Sequence, residues 1–61
     1  MCELKVIIEG KSAFQDAVYA KADGSNVIVK DVFGDSKVFE NYRILEVNIT
    51  SEQLVLFPIS S

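Results

Sequence analysis

The chain has 61 residues, 49% hydrophobic and 25% charged, which leaves room for one small globular domain (residues 1–61) and no second one. One cysteine and no histidine exclude an internal disulfide, an intrachain Cys/His zinc site, and any Ser-His-Asp or Cys-His catalytic arrangement. Nine acidic residues against six basic ones, with the cations spread singly along the chain, argue against a protein that tracks a nucleic-acid backbone.

The first predicted element is a strand over residues 2–9, where Cys2, Leu4, Val6 and Ile8 alternate with Glu3, Lys5, Ile7 and Glu9. Gly10-Lys11-Ser12 breaks it. Between Phe14 and Ala22 the apolar spacing fits neither the helical period nor the strand period. The expectation there is a loop over Ser12 to Asp16, able to hold a helical turn, followed by a strand from Ala17 to Ala22.

Asp23-Gly24-Ser25 is a hairpin signal between apolar runs. Asn26 to Val32, rich in β-branched residues, reads as a strand. Phe33-Gly34-Asp35 is a second turn signal, and Phe33 and Gly34 are marked as turn or interface residues. A short strand over Ser36 to Glu40 and a turn at Asn41 follow. Tyr42 to Ile49 is expected to turn Leu45, Val47 and Ile49 to one face and Ile44, Glu46 and Asn48 to the other. Thr50-Ser51-Glu52 turns the chain again, and Gln53 to Phe57 is a last strand, stopped by Pro58. Six short strands at intervals of about ten residues describe a small antiparallel barrel or sandwich, all-β.

A domain of this size buries only about 60% of the surface its unfolded chain exposes. With disulfide and zinc excluded, self-association is the support that remains. Ile7, Ile28, Ile44 and Val55 fall on the outer face by alternation, and aliphatic side chains there fit a homodimer contact. No apolar stretch approaches the roughly 18 residues that span a bilayer. The N-terminal residues lack a signal-peptide core, and residue 2 is not the glycine that myristoylation needs. A soluble cytoplasmic protein with a reduced thiol is the expectation.

Cys2 is the candidate with distinctive chemistry, and it has two readings. Buried cysteine is common, and here it opens an apolar face with Leu4. Alternatively, excision of Met1 would leave cysteine at the mature N-terminus, where α-amine and thiolate close a five-membered chelate ring on one metal ion. Both groups have reference pKa values near neutrality, roughly 8 and 8.5, and a soft thiolate with nitrogen favours Ni(II) or Cu(II) over Mg(II) or Ca(II). Two chains about a twofold axis would double the donors. Asp31 and Asp35 read as a solvated loop rather than a cation site. Phe33, Phe39, Tyr42 and Phe57 read as core aromatics rather than a base-stacking platform, because no Arg or Lys is interleaved with them. Asn48-Ile49-Thr50 matches a glycosylation pattern that carries no weight without a secretory signal.

The opening Met1-Cys2-Glu3, the Asp23-Gly24 hairpin, the run Val29-Lys30-Asp31-Val32-Phe33-Gly34-Asp35 and the ending Ile44-Leu45-Glu46-Val47-Asn48-Ile49 resemble the CooT-type small proteins. That resemblance implies a small all-β barrel of SH3-like or Sm-like shape and a homodimer. It also implies a non-enzymatic, nickel-binding accessory role in carbon monoxide dehydrogenase maturation. The family's nickel-binding cysteine falls on Cys2 of this chain. Relatives labelled predicted RNA-binding proteins supply the alternative, a small RNA-binding barrel. The stretch Ser12 to Asp16 has no clear counterpart in the better-matched members.

Overall fold

The computed structural model describes residues 3–59. Six strands build one sheet: β1 (Leu4–Ile8), β2 (Lys11–Asp23), β3 (Asn26–Asp31), β4 (Ser36–Glu40), β5 (Tyr42–Asn48) and β6 (Gln53–Pro58). Their spatial order is β4-β3-β2-β1-β6-β5, and no helix occurs among the described residues. The β1–β6 pairing is parallel and the other ladders are antiparallel, so the expected antiparallel barrel carries one parallel seam.

The sheet curls until its two edges approach without closing a ladder. Tyr42 N–H donates to the Ser25 carbonyl at 3.0 Å, and the Phe39 and Tyr42 rings meet edge to face at 6.1 Å. The result is a barrel-like sheet left open between β4 and β5.

Alternation decides what lies inside the curl. Val6, Ala17, Val27, Val29, Phe39, Leu54 and Leu56 form the buried core, with Leu4, Ile8, Phe14, Ala20, Tyr42 and Ile44 packed around it. The register explains the match: Val6 lies beside Leu54, Ile8 beside Leu56, Val27 beside Phe39 and Ile44 opposite Leu56. Each pair puts two apolar side chains on the concave face. Lys37, two residues before Phe39, lays its ammonium over that ring at 5.4 Å.

Two departures from the sequence reading have one cause, the β-bulge. Residues 12–16 are not a loop, because β2 runs unbroken from Lys11 to Asp23. Its pairing slips between Leu4 and Val6, between Val6 and Ile7, and between Ala17 and Tyr19. Each slip inserts one extra β2 residue and reverses the inside-outside phase. No single period can survive that.

In β5 a slip between Ile44 and Glu46 leaves Leu45 as the extra residue. Ile44 therefore packs on the core instead of facing outward, while Leu45, Val47 and Ile49 are exposed. Ile7, Ile28 and Val55 are half-buried, and the exposed aliphatics are Val18, Val32, Val38, Leu45, Val47, Ile49 and Ile59. The aromatics also divide: Phe39 is core and Tyr42 flanks it, but Phe33 and Phe57 are exposed.

Candidate functional site

Two consequences of the β2 bulges build the candidate site. First, Ala17 pairs with Leu4 on one side and with Asp31 on the other, so the start of β1 and the end of β3 flank the same point of β2. At a strand spacing of about 4.8 Å, Leu4 and Asp31 are separated by ~10 Å across the sheet. Second, Lys5 pairs with Gln53, and Lys5 N–H donates to the Glu52 carbonyl at 2.9 Å, which brings the β5–β6 turn alongside β1. Four segments thus lie side by side: the β5–β6 turn, the start of β1, the bulge of β2 and the β3–β4 turn.

Between the first three of these lies a cleft of about 230 Å³, lined by Glu3, Leu4, Lys5, Gln15, Asp16, Ser51 and Glu52. Three carboxylates and one ammonium face it. They stand around the cleft without converging, and no three His, Cys, Asp or Glu side chains group into a metal cage among the described residues. Cys2 lies outside the described residues. It is joined by one peptide bond to Glu3, the cleft residue with which the described chain begins.

Each wall is held by local backbone chemistry. The β5–β6 turn is capped by Asn48, whose Oδ1 accepts the Ser51 N–H at 3.0 Å, and Glu52 N–H donates to the Ile49 carbonyl at 3.2 Å. Asn48 therefore serves the turn. Glu52 adopts φ 57° and Asp16 φ 61°, left-handed conformations that Asp tolerates better than most residues and that here mark a tight turn and a bulge.

The β3–β4 turn is braced more heavily. Asp31 Oδ1 accepts from Phe33 N–H and from Asp35 N–H, both at 2.9 Å. Asp31 N–H donates to the Asp35 carbonyl at 2.9 Å, Gly34 N–H to the Asp31 carbonyl at 3.2 Å, and Val32 N–H to the Asp16 carbonyl at 3.0 Å. Gly34 sits at φ 92°, where any residue with a Cβ is strained. Phe33 and Gly34 are thus in the turn, as their sequence implied. Oδ1 of Asp31 is thus committed to holding that turn.

Sequence reasoning missed two features. Asp16 lay in the stretch read as a loop, yet it lines the cleft and supports the neighbouring turn. Cations also sit over aromatics after all: Lys30 over Tyr19 at 5.2 Å and Arg43 over Phe57 at 5.5 Å. Both pairs are cross-strand neighbours, far apart in the sequence and therefore invisible to a search for interleaved residues.

No helix among the described residues is long and apolar enough to cross a membrane. A search of curated proteins finds no match to the chain. Residues 1–56 match the model of the family described as CO dehydrogenase accessory protein CooT, a span that takes in Cys2, the cleft and both braced turns. The chain belongs to the CooT family of CO dehydrogenase accessory proteins.

Proposed function

We propose that this protein is a small, non-catalytic metal carrier that binds Ni(II) through Cys2 at the axis of a homodimer and serves the maturation of carbon monoxide dehydrogenase. The observation that carries the reading is the family match, which extends through the chain's single thiol. Nickel is cargo in this role, so the site must release as well as bind. A terminal thiolate with amine or amide nitrogen, contributed by each of two chains, gives a soft and open donor set. The carboxylates of Glu3, Asp16 and Glu52 around the adjoining cleft add a negative field that raises the local cation concentration. Among the described residues these carboxylates form no metal cage of their own.

A homodimer suits the surface as well as the chemistry. Leu45 and Val47 are exposed on the edge strand β5 and Ile49, 60% accessible, just beyond its end, in a chain with a small core. Edge strands that expose aliphatic side chains are prone to pair with a second chain. The cytoplasm, where a cysteine stays reduced, is the compartment this chemistry requires.

The test is native mass spectrometry and calorimetric titration of the processed protein with Ni(II). One ion per dimer and thiolate-to-metal charge-transfer absorption are expected. Cys2→Ser should abolish that band and weaken binding sharply, since a hydroxyl stays protonated near neutral pH and is a hard, poor ligand for Ni(II). Its thermal melt should match the parent's. Equal nickel affinity in Cys2→Ser, or a parent that is monomeric with nickel bound, would defeat the reading.

A further inference from the structure

The β3–β4 turn presents the most exposed large apolar side chain of the described residues. Phe33 is 79% accessible, with Val32 beside it also exposed. An exposed phenylalanine on a loose loop would mean little. This one stands on a turn fixed by five hydrogen bonds, two of them to the Asp31 carboxylate and one reaching across to Asp16. The ordering cost of an aromatic anchor has therefore been met before any partner arrives. Asp31 and Asp35 flank Val32 and Phe33 in the sequence, and Asp16 is held to Val32 through its backbone carbonyl, so three acidic residues share this turn and its support. The nearest strand cation, Lys30, is turned onto Tyr19.

We propose that Val32 and Phe33 form a docking knob that inserts into an apolar pocket rimmed by Arg or Lys on carbon monoxide dehydrogenase. The proposal rests on the accessory role of the family and deepens it by naming the contact. Charge complementarity selects the occupant: an apolar knob on an acidic turn fits an apolar socket rimmed by cations, and it repels a nucleic-acid phosphate backbone. Position supports it too. Asp16 belongs both to the cleft beside Glu3 and, through its carbonyl, to the support of Val32. Docking through the turn therefore brings the partner within a strand or two of the segment that leads to Cys2.

The experiment measures binding of the full-length protein to immobilised, nickel-free cognate carbon monoxide dehydrogenase by interferometry, at about 50 and about 300 mM salt to span weak and strong screening. Phe33→Ala should weaken binding by ~30-fold, the scale of an aromatic hot spot, and Phe33→Leu should recover much of the loss. Asp35→Asn should flatten the salt dependence. Nickel titration of Phe33→Ala should equal that of the parent, so failure of docking and failure of nickel binding are read separately. Parent-like binding by Phe33→Ala overturns the proposal, as does a parent that does not bind the enzyme. Sedimentation showing that Phe33→Ala converts a dimer to a monomer also overturns it, because the knob would then be a contact between copies of this chain.

Discussion

Replacing Asp31 by alanine tests the mechanical core of the site. The substitution removes the acceptor of two backbone hydrogen bonds, from Phe33 and Asp35, each 2.9 Å long. It leaves the three backbone bonds that join the turn to itself and to Asp16. A hydrogen bond contributes about 0.5–1.5 kcal/mol net, and more when the acceptor is charged. Both of these are exposed to water, so the lower half of that range applies and the pair together should be worth about 1–2 kcal/mol. In a domain of this size each kcal/mol moves the melting temperature by about 4–8 °C, giving a fall of roughly 5–15 °C. Asp31→Asn keeps one Oδ1 acceptor and loses only the charge, so its loss should be less than half of that. Urea melts at one fixed protein concentration are the assay, since self-association would otherwise alter the apparent stability. The denaturant slope should not change. A loss under about 0.3 kcal/mol for Asp31→Ala, which is within the scatter of ordinary surface substitutions, or equal losses for Ala and Asn, would show that the carboxylate does not hold the turn.

Leu56 is 1% accessible and touches both the β1 and β5 sides of the core. Leu56→Ala should therefore cost about 2–5 kcal/mol, enough to abolish a cooperative far-UV transition in a domain with few buried residues, and a mild loss would mean that the sheet does not curl onto this residue. Fluorescence anisotropy with single-stranded RNA at about 150 mM salt should show no sub-micromolar binding. The two exposed cation–aromatic pairs are outnumbered by acids, in a chain of net charge −3. Tight binding there would revive the RNA-binding barrel.

What sequence reasoning reached and what it missed follow from the range of the interactions involved. Turns at Gly24-Ser25, at Phe33-Gly34, at Asn41 and at 49–52 were legible because each is set by residues within four positions of one another. Strands β3, β4 and β6 were legible because they carry no bulge, so alternation holds along their length. The inward and outward faces of β5 were misread because Leu45 is an extra residue only relative to β6, and nothing within β5 announces it. Exposure of Phe33 and Phe57 was missed for a similar reason. Aromatic side chains favour burial on average, and only the tertiary arrangement shows that the core is already filled by Phe39, Leu54 and Leu56. The 33–34 turn was legible, but not its nearness to the start of β1, which appears only through the pairing of Leu4 and Asp31 with Ala17.

That nearness depends on the segment that periodicity could not read. Strand β2 pairs with β1 along its first half and with β3 along its second, and Ala17 is paired on both edges. The ladder with β3 slips just after Ala17, and the left-handed backbone at Asp16 bends the strand there. That bend sets Leu4 and Asp31 on either side of one residue and turns the Asp16 carbonyl onto Val32. Bulges weaken a ladder, and a chain with so small a core has little stability to spare, so three in one strand demand a compensating return. The return is geometric: the bulges hold the start of β1, with its cleft, next to a braced turn carrying an exposed aromatic. Locally inconsistent sequence at a place that assembles a site is the pattern expected where function overrides regularity. Residues 12–16, which alternation left as a loop, are on this reasoning the part of the chain that makes the others a site.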